Sequence, residues 1–255
     1  MLLVVDVGNT NIVLGLFSAG KLAHHWRLET NTRRTTDEYG ITFRQMVAAA
    51  GVEHAAIDAA ILASVVPPLL GTIQEVLTRY FGIEPLVVGP GTRTGMKILA
   101  DNPREVGADR IVNAVAAFDR FGGGCIVVDF GTATTFDLVS PRGEYMGGAI
   151  APGIGIATEA LFIRASKLPR VEILRPPTAV GKNTIHAMQS GIVFGYIGLV
   201  DGMVERIRAE ADYPVQTIAT GGLAPLICGD SKSVTVVDEM LTLTGLRLIH
   251  ERNRA

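Results

Sequence analysis

Two short stretches of the chain carry residue types that handle phosphate. The first is Asp6-Val7-Gly8-Asn9-Thr10-Asn11. An Asp at the end of an apolar strand, beside a tight glycine turn, suits a hydrated Mg²⁺. That ion keeps several waters and takes one or two carboxylates plus phosphate oxygens. Gly8 lets the backbone come close to an anion, and Asn9, Thr10 and Asn11 add short side-chain donors. The second stretch, Asp129-Phe130-Gly131-Thr132-Ala133-Thr134-Thr135, repeats the arrangement with three threonines beside its glycine. A third turn, Thr220-Gly221-Gly222, follows a strand-like run and opens a short helix, which suits a nucleotide lying against bare backbone. Hairpin turns favour Asp, Asn and Gly for conformational reasons alone, so each turn by itself also has a purely structural reading. Their recurrence points instead to two turns facing each other and gripping one polyphosphate. Neither a G-x-x-x-x-G-K-[ST] loop nor a G-x-G-x-x-G fingerprint is present.

Between the two turns lies Asp101-Asn102-Pro103-Arg104-Glu105-Val106-Gly107-Ala108-Asp109-Arg110, which carries five charges around one Gly and one Pro. A carboxylate within reach of a substrate hydroxyl can accept its proton as it attacks phosphorus, which makes Asp109 a candidate general base. Arg110 offers planar paired donors to an anionic substrate group. The competing reading is a solvated helix end with an ion pair.

These residues need a frame. Strands are expected over residues 2–7, 12–17 and 21–29, then a helix over 36–50 capped by Thr36, with Asp37 and Glu38 at its positive end. A buried strand over 59–66 precedes a helix opened by Pro67 and Pro68 and closed near Gly82. A short strand at 86–88 and a helix over 104–121 complete the first half. The opening pattern then returns at 127–133, followed by strand-like runs at 135–139 and 143–150. Helices over 155–165 and 184–211, strands at 215–219 and 234–237, and a helix over 239–252 complete the chain. Strands alternate with helices, so the class is α/β, and a repeat at about half the chain length suggests two similar lobes.

The bulk numbers agree with a globular protein. The chain has 255 residues, 48% hydrophobic and 19% charged, with a net charge of -2 and no long block of one sign. Nothing in it favours a nucleic-acid surface. The N-terminus reaches Asp6 after a few apolar residues without a basic start, unlike a signal peptide, and the apolar run 192–200 is too short to span a bilayer. Cys125 and Cys228 sit in or beside apolar runs and read as buried small hydrophobes. His24 and His25 are adjacent on a strand and point to opposite faces, so they cannot share one metal. Arg33-Arg34 reads as a solvated turn. Gly191, Gly195, Gly198 and Gly202 fall on one helical face. Each glycine costs a helix roughly 1 kcal/mol relative to Ala, so the stripe implies close approach of another backbone, in this chain or in a second subunit. A place at or near a dimer interface is expected.

Taken together, DVGNTN (6–11), DNPREVGADR (101–110), VVDFGTATTFD (127–137), GGAIAPG (147–153), GKNT (181–184) and ATGG (219–222) resemble the type III pantothenate kinases over essentially the whole chain. That family belongs to the superfamily of actin-like folds that also holds acetate and sugar kinases. The resemblance implies a duplicated actin-like fold of two ribonuclease-H-like lobes, residues 1–115 and 116–255, with a nucleotide cleft between them. It implies a cytoplasmic, homodimeric enzyme that phosphorylates pantothenate to 4'-phosphopantothenate with ATP, the first step of coenzyme A synthesis, with no nucleic-acid or membrane partner. ATP contacts carry over to Asp6, Val7, Gly8, Asn9, Thr10, Asn11, Ile12, Val13 and Thr132, beside the Gly221-Gly222 turn read above. Substrate contacts carry over to Gly107, Ala108, Asp109, Arg110 and Thr184, with Asp109 as the base. Asp129 is associated with a monovalent cation, K⁺ or NH₄⁺. One position departs: Ala100 stands where many members carry a Tyr that lines the substrate pocket. The alternatives are a catalytically weak nucleotide-binding accessory protein of the same family, and a phosphatase or sugar kinase of the wider superfamily.

Overall fold

The computed structural model describes residues 1–254. The strands are β1 (Leu2–Val7), β2 (Asn11–Ser18), β3 (Lys21–Glu29), β4 (Ala59–Ser64), β5 (Leu86–Val87), β6 (Lys97–Ile98), β7 (Cys125–Phe130), β8 (Ala133–Val139), β9 (Glu144–Pro152), β10 (Gln216–Thr220) and β11 (Val236–Val237). The helices are α1 (Thr36–Ala49), α2 (Pro67–Phe81), α3 (Ala108–Phe121), α4 (Ile154–Arg164), α5 (Thr184–Glu210), α6 (Ala224–Cys228) and α7 (Leu241–Arg254). They form two compact units: Met1–Met96 with Asn102–Ala116 and Thr242–Ala255, and Lys97–Asp101 with Ala117–Leu241.

The first unit is built on a five-stranded sheet in the order β3-β2-β1-β4-β5. The Leu-Leu-Val-Val run of β1 is central, between antiparallel β2 and parallel β4. β3 alternates exposed and half-buried residues along its length, as an edge strand with one wet face does. One face of the sheet, with Leu3, Val5, Ile12, Leu14 and Leu16, packs on Tyr39 and Phe43 of α1 and Leu69, Ile73 and Leu77 of α2. On the other face a Cβ added to Gly15 would lie 2.9 Å from Leu243 of α7, so the final helix covers β2 closely.

The second unit repeats this plan. Its sheet runs β11-β10-β7-β8-β9-β6. As in the first sheet, the opening strand pairs antiparallel with the next, which pairs antiparallel with the third, while the fourth lies parallel on the opening strand's other side. β7, β8, β9, β10 and β11 thus correspond to β1, β2, β3, β4 and β5, and β6 is an added edge. The core joins Ile126, Val128, Phe130 and Phe136 to Ile192, Val193, Ile197, Val200 and Val204 of α5. By length and composition α5 passes for a membrane span, but this apolar stripe is buried against the sheet.

Three local expectations are corrected. Thr35, not Thr36, caps α1: its hydroxyl accepts from the Glu38 N–H, and Glu38 reaches back to the Thr35 N–H in a capping box. The helix expected over 104–121 is a 3₁₀ turn at Pro103–Glu105, an extended Val106, and then α3 from Ala108. The strand expected at 234–237 is only Val236–Val237, while Lys97–Ile98, for which no element was expected, pairs with β9.

Candidate active site

The first glycine turn is held from several directions. Val7 pairs with Ile12, so residues 8–11 close the β1–β2 hairpin, and Asp6 sits one position before its end, opposite Val13. The Gly8 N–H donates to the Asn11 carbonyl at 3.0 Å. A Cβ at Gly8 would lie 3.1 Å from that oxygen, tighter than side chains normally accept. Thr30, just past β3, donates its hydroxyl to the Gly8 carbonyl at 2.6 Å and its N–H to the Thr10 carbonyl at 2.9 Å. Next to it, Asn31 exchanges hydrogen bonds with the phenol of fully buried Tyr39. The turn is thereby tied to α1, and Asn9 and Thr10 stay exposed. Neither Thr30 nor Tyr39 stands out in the sequence, because each lies more than 18 residues from the turn it steadies.

The second turn has the same frame. Asp129 again lies one position before the strand end, opposite Thr135 on β8 and beside Thr220 on β10. The Gly131 N–H closes the turn on the Ala133 carbonyl at 3.1 Å. Gly221 has φ +95, and a Cβ there would meet the Phe130 carbonyl oxygen at 2.6 Å and amide nitrogen at 2.9 Å. A side chain is excluded there by both conformation and space. A Cβ at Gly153, ahead of α4, would overlap the Thr132 carbonyl and lie 2.7 Å from that of Gly131. Bare backbone from two further segments therefore packs on the Asp129 turn, Gly221 against Phe130 and Gly153 against Gly131 and Thr132. Gly222 is exposed beside them. Gly153 received no role from the sequence, although its motif was visible.

Asp109 sits in the first turn of α3. The side chain folds back toward Gly107: a Cβ on that glycine would lie 2.5 Å from the Asp109 Oδ1. That oxygen also accepts the Arg110 N–H at 2.8 Å. Burial pushes the Asp109 pKa above the ordinary carboxylate value, and the Arg110 N–H and guanidinium offset part of the rise. The position is tied to the first sheet through Val65. Its N–H donates to the Val7 carbonyl at 3.0 Å, and its Cγ1 lies 3.8 Å from where a Gly107 Cβ would be. Asp109 and the first glycine turn thus sit at the same end of that sheet. Ala108 and Arg110 flank Asp109, half-buried.

Thr184 opens α5 and is exposed. Asn183 caps that helix, accepting the His186 N–H at 2.8 Å. Thr184 lines an open cavity of about 730 Å³ with Lys182 and the apolar Leu161, Leu168, Met188 and Ile192. Such a space suits a small molecule with an apolar body and a few polar groups. Among the described residues no three His, Cys, Asp or Glu side chains gather as a metal cage. A carboxylate such as Asp6, beside a turn a Cβ would crowd, fits an ion held through water and phosphate, which needs no cage. The Arg33 N–H donates to Asn31 Oδ1 at 2.9 Å, an ordinary turn contact.

A family model described as type III pantothenate kinase matches residues 2–206. A type III pantothenate kinase of Anaeromyxobacter sp. (strain Fw109-5) is 61% identical over 254 residues, covering 100% of both chains. One of Myxococcus xanthus (strain DK1622) is 58% identical over 255 residues, again covering 100% of both. Among solved structures, the ROK hexokinase of Thermus thermophilus superposes with a TM-score of 0.51 at 14% identity, covering 100% of this chain and 99% of that one. This last likeness concerns the fold, a duplicated actin-like architecture with two sheets. The relatives do not favour the reading as a catalytically weak accessory protein.

Proposed function

The chain belongs to the type III pantothenate kinase family and phosphorylates pantothenate with ATP, and from that premise we infer how its residues divide the work. Asp109 takes the proton from the pantothenate hydroxyl as that oxygen attacks the terminal phosphorus of ATP, whose bond to the bridging oxygen breaks and releases ADP. Arg110 pairs with the substrate's anionic end, and Gly107, Ala108 and Thr184 complete its contacts. Residues 6–13, with Thr132, Gly221 and Gly222, hold the nucleotide by backbone and short donors. When bound with ATP, a divalent cation neutralises charge on the transferred phosphoryl group. Asp6 would hold Mg²⁺ through water, and Asp129 would hold K⁺ or NH₄⁺. We place the enzyme in the cytoplasm. Its homodimer would form over α5, where, among the described residues, nothing beyond the helix's own adjacent backbone lies within 4 Å of a Cβ added at Gly191, Gly195 or Gly198.

The observation that carries this reading is the Asp109 carboxylate, folded onto Gly107 with its proton affinity raised by burial. A base works best when its pKa moves toward the working pH. The test is Asp109→Asn, assayed for phosphopantothenate with ATP, Mg²⁺ and pantothenate. Turnover should fall by roughly 10²–10⁴-fold, the usual worth of a general base, while ATP binding by calorimetry stays nearly intact. Wild-type turnover in that variant removes Asp109 from the role.

A further inference from the structure

The last helix touches both flanks of the segment that carries Asp109, and we propose that α7 positions this segment, with Thr242 and Asn253 as its positioning residues. α7 lies beyond residue 206, where the family-model match ends. At its N-terminal end the Thr242 hydroxyl donates to Asn113 Oδ1 at 2.7 Å. Asn113 is only 1% exposed, and it lies one helical turn after Asp109 on the same face of α3. A Cβ at Gly245 would overlap the Val112 carbonyl, so the two helix backbones touch there. The position of α3 is therefore set by direct backbone contact with α7, and the hydroxyl of Thr242 selects the register.

At the C-terminal end the Asn253 carboxamide grips a single backbone unit from both sides. It accepts the Arg93 N–H at 3.1 Å and donates to the Arg93 carbonyl at 3.0 Å. The Arg252 guanidinium donates to the neighbouring Thr94 carbonyl. Thr92 holds the same loop upstream, accepting from the Gly89 N–H and donating to the Val87 carbonyl, each at 3.0 Å. Thr242 and Asn253 are about 16 Å apart along a helix rising 1.5 Å per residue. Buried Leu243, Leu246 and Ile249 fasten this helix in the first unit. It behaves as a ruler that fixes residues 112–113 directly after the substrate segment and residues 93–94 upstream, ahead of β6. Phosphoryl transfer depends on placing the base within about 1 Å, so both anchors bear on catalysis without either touching substrate.

The proposal rests on the reading of residues 107–110 as the pantothenate site. Thr242→Val keeps shape and removes the hydroxyl; kcat should fall roughly tenfold, and Thr242→Ser should restore it. Asn253→Ala should raise KM for pantothenate roughly fivefold to tenfold, the worth of one or two hydrogen bonds. In both variants KM for ATP stays at the wild-type value. Amide hydrogen exchange should quicken across residues 92–94 and 107–113 and not across residues 8–11. Wild-type kcat and pantothenate KM in both variants overturn the proposal. So does a parallel loss for ATP and pantothenate with a lowered Tm, which marks α7 as merely structural. Asp109→Asn, run alongside, separates the premises: if it still turns over, the reading of the site fails and takes this proposal with it. If it is inactive while the α7 variants behave as wild type, only the proposal falls.

Discussion

At the level of single residues, the proposed chemistry turns on one acid, Asp109, half-buried in the first turn of α3. Desolvation raises the Asp109 pKa, and the Arg110 N–H and charge pull it partly back. A base works only when ionised, so a raised pKa means activity is lost at a higher pH on acidification than an ordinary carboxylate would give. We expect the acid limb of the kcat profile to lie above that of an ordinary aspartate carboxylate. Arg110→Gln, which removes the opposing charge, should move the limb further up. A pH–rate profile measures both, and a limb unmoved by Arg110→Gln would detach it from Asp109. Residues of this kind were legible as types: acids beside glycines and short donors announce phosphate handling. Thr30, Tyr39 and Gly153 were not, because a Thr, a Tyr and a Gly acquire their roles here only from partners far along the chain.

At the level of elements, local rules placed most boundaries and failed where two signals competed. Thr35 and Thr36 are both good caps, and Glu38 decided between them by closing the box on Thr35. In residues 103–108, Pro103 favours a helical start but Gly107 precedes the true one, so the segment breaks into a 3₁₀ turn and α3. That break is what leaves Asp109 in a first helical turn, where its carboxylate can fold back. The first glycine turn depends likewise on its neighbour in space. Thr30→Val removes the 2.6 Å bond to the Gly8 carbonyl and nothing else of that size. It should raise KM for ATP by about threefold to tenfold and leave KM for pantothenate unchanged. Steady-state kinetics with each substrate varied in turn would show it, and an equal rise for both would contradict the turn's role in holding ATP.

For the whole molecule, the duplication organises everything else. Two sheets share one pattern of antiparallel and parallel neighbours, and both place an Asp one residue before the first hairpin. The outer face of α5 is the clearest route to assembly. Gly195 is exposed, and among the described residues nothing beyond the helix's own adjacent backbone lies within 4 Å of an added Cβ there. Gly195→Leu should not disturb the subunit and, by helix propensity, should favour α5 by roughly 1 kcal/mol. If α5 faces a second copy across its glycines, the substitution should nonetheless split the dimer. Sedimentation would then report a monomer with an unchanged or raised Tm. A variant that stays dimeric places the contact elsewhere.

The sequence by itself determined the class, most of the strand and helix order, the repeat, and the glycine turns with their acids, because these follow from patterns a few residues long. Hydrophobic period, turn chemistry and motif spacing are local properties of a chain. Only the tertiary structure decided that Thr242–Ala255 joins the first unit rather than the half of the chain it follows. It also decided that Lys97–Ile98 completes the second sheet and that Gly153 and Gly221 close on one turn. Those outcomes depend on which backbones approach each other across separations from about twenty to more than a hundred residues, and glycine's value there is the absence of a side chain against a neighbour that no local pattern names.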